Sequence, residues 1–580
     1  MTNDRKYDRF PKKAIDCKAG EVFGGWPDIL AALQASCAGR SKSVVVLECY
    51  PGTDLAEVRR ALSGWPGARL FCAEDCALTP DALDAAFAPE LTDDRVFGKM
   101  TTALLSDYFL PDKLTEMRAG VAAATEPVSV VYGTGASLVT RGDVLVYGDL
   151  ARWEIQLRYR RGMGNWRCDN GDAPQLTKYK RGFFIEWRLA DRLKKELLGH
   201  VDWMLDTNTP DAPSMISGNL FRRAMDRFAA EPFRTVPYFD PGPWGGQWMK
   251  EVCGLDPNEP NFAWSFDGVP EENSLLLDCG GRVVQLPAMD LILYRPAAVL
   301  GDKVYGRYGA EFPIRFDFLD TMGGGNLSLQ VHPLTEYIQN TFGMHYTQDE
   351  SYYFLDCGED ACVYLGLKEG VDRQEMLEAL RVSEETGRFD AERYVNKFPV
   401  QKHDHVLIPA GTIHCSGANG MVLEVSATPY IFTFKLYDWG RLGMDGRPRP
   451  IHIGHGEKVI QWDRDTQWVE RNLLHQTRVL SQTEHCRAEQ TGLHAREPIR
   501  TTRYWFDQPI ALETEGGVNV LNLVEGSEAC VESPDGAFAP FAVHYAETFI
   551  VPAAVGRYTI RPAGGSEGAR VGVLRAEVKA

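Results

Sequence analysis

The feature that most constrains this chain is a change of texture near Pro237. Before it, short β-branched runs lead through glycine turns into helical stretches; after it, brief strands are separated by Gly, Pro and Asp. The first grammar belongs to α/β folds with buried parallel strands, the second to β-barrels and jelly rolls. A chain of 580 residues is also too long for one core, so the change reads as a domain boundary.

In the first region, Ser43–Glu48 is a β-branched run suited to a buried strand. Pro51-Gly52-Thr53-Asp54 follows, with Thr53 or Asp54 placed to cap a helix. Val128–Tyr132 leads into Gly133–Ala136, and Asp143–Tyr147 into a helical stretch from Leu150 to Arg161. Beyond Pro237 the strand candidates are Ser328–His332, Tyr352–Leu355, Cys362–Leu365 and Val422–Val425. Between Asp372 and Arg393, Met376, Leu377 and Leu380 recur with helical spacing. From about Arg500 the strand-and-turn texture repeats. The expected architecture is an α/β domain over residues 1–235, a β-domain over 236–475 with a helical insertion around 370–395, and a smaller β-domain over 476–580.

Charge narrows the partners. The formal net charge is -18, and the basic runs Arg158–Arg161 and Lys178–Arg181 are short and isolated, which disfavours nucleic acid and anionic membranes. A small phosphorylated ligand stays compatible, because one pocket can be positive on an acidic surface. The polar opening Met1–Asp8 lacks the apolar core of a signal peptide, and no apolar stretch nears a membrane span. Thirteen cysteines without zinc-finger spacing read as reduced thiols, so a cytoplasmic location is expected. An oligomer is left open.

Three stretches carry chemistry. In Gln330-Val331-His332, strand alternation points both polar side chains to one face. Glu350 opens another strand, and Pro409–Thr412 forms a turn that delivers His414 to the next. Two imidazoles, a carboxylate and an amide oxygen suit zinc or a similar divalent ion, with a side open to a substrate oxygen. A lone strand histidine is more often a satisfied core residue, so spacing alone leaves the metal open.

Asn326-Leu327-Ser328-Leu329-Gln330-Val331-His332-Pro333 resembles the signature of type I phosphomannose isomerases, which are cupin proteins. Pro243-Trp244-Gly245-Gly246, Pro409–His414, and Leu436–Arg441 followed by Arg447-Pro448-Arg449-Pro450 resemble the same family, in the same order. The resemblance implies a double-cupin region in which Gln330, His332, Glu350 and His414 hold one zinc ion. It implies an aldose–ketose isomerase of a hexose 6-phosphate, mannose 6-phosphate first, working through an enediol. Two positions depart from the family: Gln348 stands where a lysine is usual, and Lys435 where an arginine is usual. The first change removes a charge, and the second keeps one without the bidentate fork.

For proton transfer at carbon, Glu424 is the candidate base, its rival reading being a structural carboxylate or fifth ligand. Lys435 is the candidate holder of an anionic group, with Arg441 second; Arg441 serves equally as a buried ion-pair partner. His345 is a further proton-transfer candidate, against the plainer reading of a surface histidine. The first domain is weakly similar to uridine-kinase-like domains around Gly133–Leu138 and Asp143–Arg158. Its Glu48–Asp54 segment lacks the lysine of a phosphate loop and places acids there, so ordinary ATP use is not expected. Rival functions are isomerisation of another, unphosphorylated sugar, and a sugar-binding regulatory protein without turnover.

Overall fold

The computed structural model describes residues 7–428, 430, 432–442, 449–492, 494–495 and 497–579. These form two compact units: one of residues 12–228 and 270–295, the other of the opening residues to 11, 229–269 and 296 onward. Sheets and helices alternate in the first, and sheets dominate the second.

The first unit is built on a seven-stranded sheet. Five of its strands are parallel neighbours, in the spatial order Ala68–Cys72, Val128–Gly133, Ser43–Cys49, Val144–Asp149 and Trp203–Asp206. Val45, Leu47, Val130 and Val146 are buried in its core, as fits β-branched runs covered on both faces. The chain order reverses beside Ser43–Cys49, where an open α/β sheet normally leaves a crevice. In this unit protein groups crowd that end of the sheet. Lys194, fully buried, lies 2.7 Å from Asp149 and 3.0 Å from Asp290, with its ammonium over the Tyr50 ring. Removing one partner of such a buried cluster typically costs about 3–5 kcal/mol.

The segment after Ser43–Cys49 is equally closed. Asp54 caps the Leu55–Leu62 helix and accepts from the Ala56 and Glu57 amides, the groups that would otherwise face an anion. Gly52 has φ +107°, and a Cβ there would lie 2.8 Å from the Ile155 side chain. Arg152 pairs with Asp191, while Glu154 accepts from Arg158 at 3.0 Å and Arg161 at 2.5 Å.

In the second unit, a six-stranded and a five-stranded sheet carry the site. The first runs in the order His405–Ile408, Asp349–Cys357, Gly420–Ala427, Arg315–Asp320, Trp264–Phe266, Tyr238–Asp240. The second runs Val395–Pro399, Cys362–Leu367, His414–Ser416, Leu329–Val331, Phe434–Tyr437. All their pairings are antiparallel. The helix Arg373–Thr386, capped by Asp372, buries Met376, Leu377 and Leu380. The Pro243–Gly246 segment packs so tightly that a Cβ on Gly246 would lie 2.1 Å from Asp320 Oδ1.

These units differ from the sequence boundaries near 235 and 475 in two respects. Ser274–Cys279 pairs in parallel with Lys12–Ala14, which draws residues 270–295 into the first unit. Residues beyond 475 form a six- and a four-stranded sheet over their own apolar core, yet belong to the same unit as the site-bearing sheets. Arg503 explains the join: it donates to the His403 carbonyl at 2.7 Å and pairs with Glu489 at 2.8 Å while lying over the Tyr353 ring.

None of the thirteen cysteines is in a disulfide. Among the described residues, no helix is long and apolar enough to cross a membrane.

With the amides of the Leu55–Leu62 helix taken by Asp54, millimolar ATP is expected neither to be hydrolysed nor to phosphorylate nucleosides or sugars. The check is a radiolabelled phosphate-transfer assay. Transfer that disappears in an Asp54→Ala variant would contradict this account of the first unit.

Candidate metal centre

The turn Pro409–Thr412 organises the site. Gly411, at φ +87°, takes a conformation that favours glycine, and a Cβ there would lie 2.7 Å from Gln461 Cγ. Its amide donates to the His332 carbonyl at 2.9 Å, and the adjacent Ala410 amide donates to Asp349 Oδ1 at 2.8 Å. The chain then runs directly into His414. One turn therefore sets three segments, those of His332, Glu350 and His414.

These three side chains meet in the interior. His414 Nε2 lies 2.7 Å from Glu350 Oε1 and His332 Nε2 lies 3.1 Å from Glu350 Oε2. All three are buried, and one ligand atom of each falls within 4.8 Å of the others. Gln330 pairs in register with His414, and its amide nitrogen is 3.2 Å from His414 Nε2. A half-turn of that amide presents its oxygen instead.

The orientation of the imidazoles tests whether the cluster fits a cation. His332 Nδ1 lies 2.8 Å from the Phe432 carbonyl and His414 Nδ1 lies 2.9 Å from the Thr412 carbonyl. A carbonyl only accepts, so each Nδ1 carries a proton, and each ring turns Nε2 toward the Glu350 carboxylate, as a lone pair when the ring is neutral. Lone pair against lone pair is repulsive unless a proton or a cation lies between them. His332 Nε2 and Glu350 Oε1 are correspondingly without a hydrogen-bond partner among the described residues. Burial opposes charge on His332, but the Glu350 carboxylate more than offsets it and raises its pKa. Burial likewise opposes charge on Glu350, which the two imidazoles hold well below the usual carboxylate range. Two imidazoles, one carboxylate and an amide fit a divalent cation.

The surrounding sheet adds polar groups on the same face. Glu424 pairs in register with Tyr352 and with Asp317, and Glu350 with Ser426. Glu424 is buried, and burial, followed by the charges of Glu350 and Asp317, raises its pKa well above the usual range. Tyr352, two residues beyond Glu350, sets its ring against His414 with centroids 5.8 Å apart.

Lys435 is half-buried and pairs in register with Gln330, so the row across the second sheet reads His414, Gln330, Lys435. Arg441 is engaged elsewhere. It donates to Asp438 at 2.7 Å and to the Asn326 carbonyl at 2.6 Å, and Asp438 also holds Arg449 and Ser328. That network braces the strand entering Gln330. Arg447 and Pro448 lie outside the described residues. His345 is exposed.

Several groups escaped the reading of the sequence as active parts of the site. Gln348 is buried between Glu350 and Glu424, donating at 2.9 Å to the first. Tyr352 was discoverable, since strand alternation puts it on the face of Glu350. Glu497 was not, because its place depends on how the last domain packs. It is buried, and burial with the Asp349 charge raises its pKa well above the usual range.

Mannose-6-phosphate isomerase ManA of Bacillus subtilis is 28% identical over 153 residues, covering 26% of this chain and 45% of the relative. The mannose-6-phosphate isomerase of Streptococcus mutans is 26% identical over 233 residues, covering 40% of this chain and 68% of the relative. The chain is similar to mannose-6-phosphate isomerases. It spans about half the length of the first of these curated relatives. The solved mannose 6-phosphate isomerase from Bacillus subtilis aligns with 60% of this chain and 99% of its own, at 16% identity and a TM-score of 0.47. Residues 25–230 match a family described as "Domain of unknown function (DUF8485)".

The purified protein is expected to hold about one divalent ion per chain, the stoichiometry of a single cluster with two histidine ligands. Elemental analysis of the wild type and of a His332→Ala, His414→Ala double variant checks this. No metal in the wild type, or equal metal in both, would contradict it.

Proposed function

We propose that this chain is a metal-dependent aldose–ketose isomerase of a hexose 6-phosphate, interconverting mannose 6-phosphate and fructose 6-phosphate through an enediol. The observation that carries this reading is the buried His332–Glu350–His414 cluster with a second carboxylate, Glu424, on the same face. The names of the curated relatives support the choice of substrate.

Gln330, His332, Glu350 and His414 would hold the ion, and this donor set favours zinc. When bound, the ion supplies polarisation of the sugar's carbonyl and hydroxyl oxygens. Glu424 takes the proton from C2 and returns it at C1. Buried on the same face as Glu350, it lies where a base for that transfer is needed. Lys435 holds the anionic end of the sugar, and Arg441 serves as a brace through Asp438.

A second reading is isomerisation of an unphosphorylated sugar. It is favoured by the neutral Gln348 beside the carboxylates and by the single-point charge of Lys435, which lacks the fork of an arginine.

Substitutions separate these roles. Glu424→Gln keeps shape and removes the base, so kcat is expected to fall by roughly 10²–10⁴-fold with KM little changed. Lys435→Ala is expected to raise KM steeply for the phosphorylated sugar and much less for its unphosphorylated analogue. Equal effects on both sugars would favour the second reading, and an unaltered kcat in Glu424→Gln would remove Glu424 from the base role.

A further inference from the structure

Gln348 lies two residues before Glu350, and its amide has a single sense. The Phe432 amide donates to Gln348 Oε1 at 2.9 Å, which turns Nε2 toward Glu350 Oε2 at 2.9 Å and Glu424 Oε1 at 3.5 Å. The carbonyl of the same Phe432 accepts from His332 Nδ1 at 2.8 Å, and His332 Nε2 faces Glu350 Oε2 at 3.1 Å. These contacts close a ring: Phe432 to Gln348, Gln348 to Glu350, Glu350 to His332, and His332 back to Phe432. The peptide groups of one residue thus orient both an imidazole and, through Gln348, a carboxylate.

Two buried carboxylates side by side repel each other, and each needs donors for its oxygens. A neutral amide meets that need without placing a positive charge beside a cation, as an ammonium in the same place would. We propose that Gln348 is a positioning residue for the divalent ion: it aims Glu350 and joins it to Glu424, and the site's affinity for the ion depends on it. This rests on the reading of the His332–Glu350–His414 cluster as a cation site. Outer contacts of this kind typically set about 10–100-fold in metal affinity.

The test is a titration of metal-stripped protein with Zn²⁺ in competition with a chromophoric chelator. Gln348→Met is close to isosteric and removes both the donor and the acceptor. Its dissociation constant is expected to rise about 10–100-fold, the range of such outer contacts, while the stripped protein stays folded by circular dichroism with a lowered melting temperature, since Glu350 and Glu424 lose a donor. Gln348→Asn keeps the amide but is one methylene too short to span Phe432 and Glu350. It should weaken binding in the same direction, and it carries the test should the Met variant fail to fold. Zn²⁺ binding as tight as wild type in the folded variants would overturn the role of Gln348 while leaving the cation site standing. No Zn²⁺ uptake by the wild type would overturn the cation site and this inference together.

Discussion

The turn at Pro409–Thr412 is the constraint on which the site depends. Through two backbone amides it fixes the His332 segment and the Asp349–Glu350 segment, and through the chain itself it fixes His414. Arg464 secures the turn by donating to the Pro409 and Ala410 carbonyls at 2.8 and 2.7 Å. The ligands come from strands distant in sequence, and the turn converts that separation into one local geometry. Any residue other than glycine at 411 would have to adopt a disfavoured φ and displace Gln461, so the turn has little freedom to drift.

From that fixed point the electrostatics follow. Carbonyls of Phe432 and Thr412 accept from Nδ1 of each ring, and both imidazoles face Glu350 through Nε2. A buried carboxylate surrounded in this way is costly to leave without a cation or a proton. The sheet then adds Glu424 and Tyr352 on the same face, each also buried. A polar interior of this kind weakens a core that apolar residues would fill better.

Much of this was legible in the sequence, and the reasons are local. Gln330 and His332 share a face because strands alternate, and His414 was announced by the Pro-Gly turn before it. Asp54 was readable as a cap, and Met376, Leu377 and Leu380 as a helix face. What was not legible depends on contacts between segments far apart. Arg441 looks like an anion holder until Asp438 and the Asn326 carbonyl claim it. Gln348 looks like a lost lysine until Phe432 is seen to orient it, and Glu497 has no local signature at all. The pairing of Ser274–Cys279 with Lys12–Ala14 likewise joins residues more than 260 positions apart, beyond the reach of any pattern in a window.

The central claim is that the buried cluster activates a sugar phosphate at C2. The most direct measurement follows exchange of the C2 proton of mannose 6-phosphate with deuterated water by NMR, using the full chain before chelation, after chelation, and after reloading with Zn²⁺. Exchange is expected in the untreated protein, with its loss on chelation and its return on reloading. Bound sugar phosphate without exchange in any of the three states would contradict it and leave a binding protein in place of an enzyme.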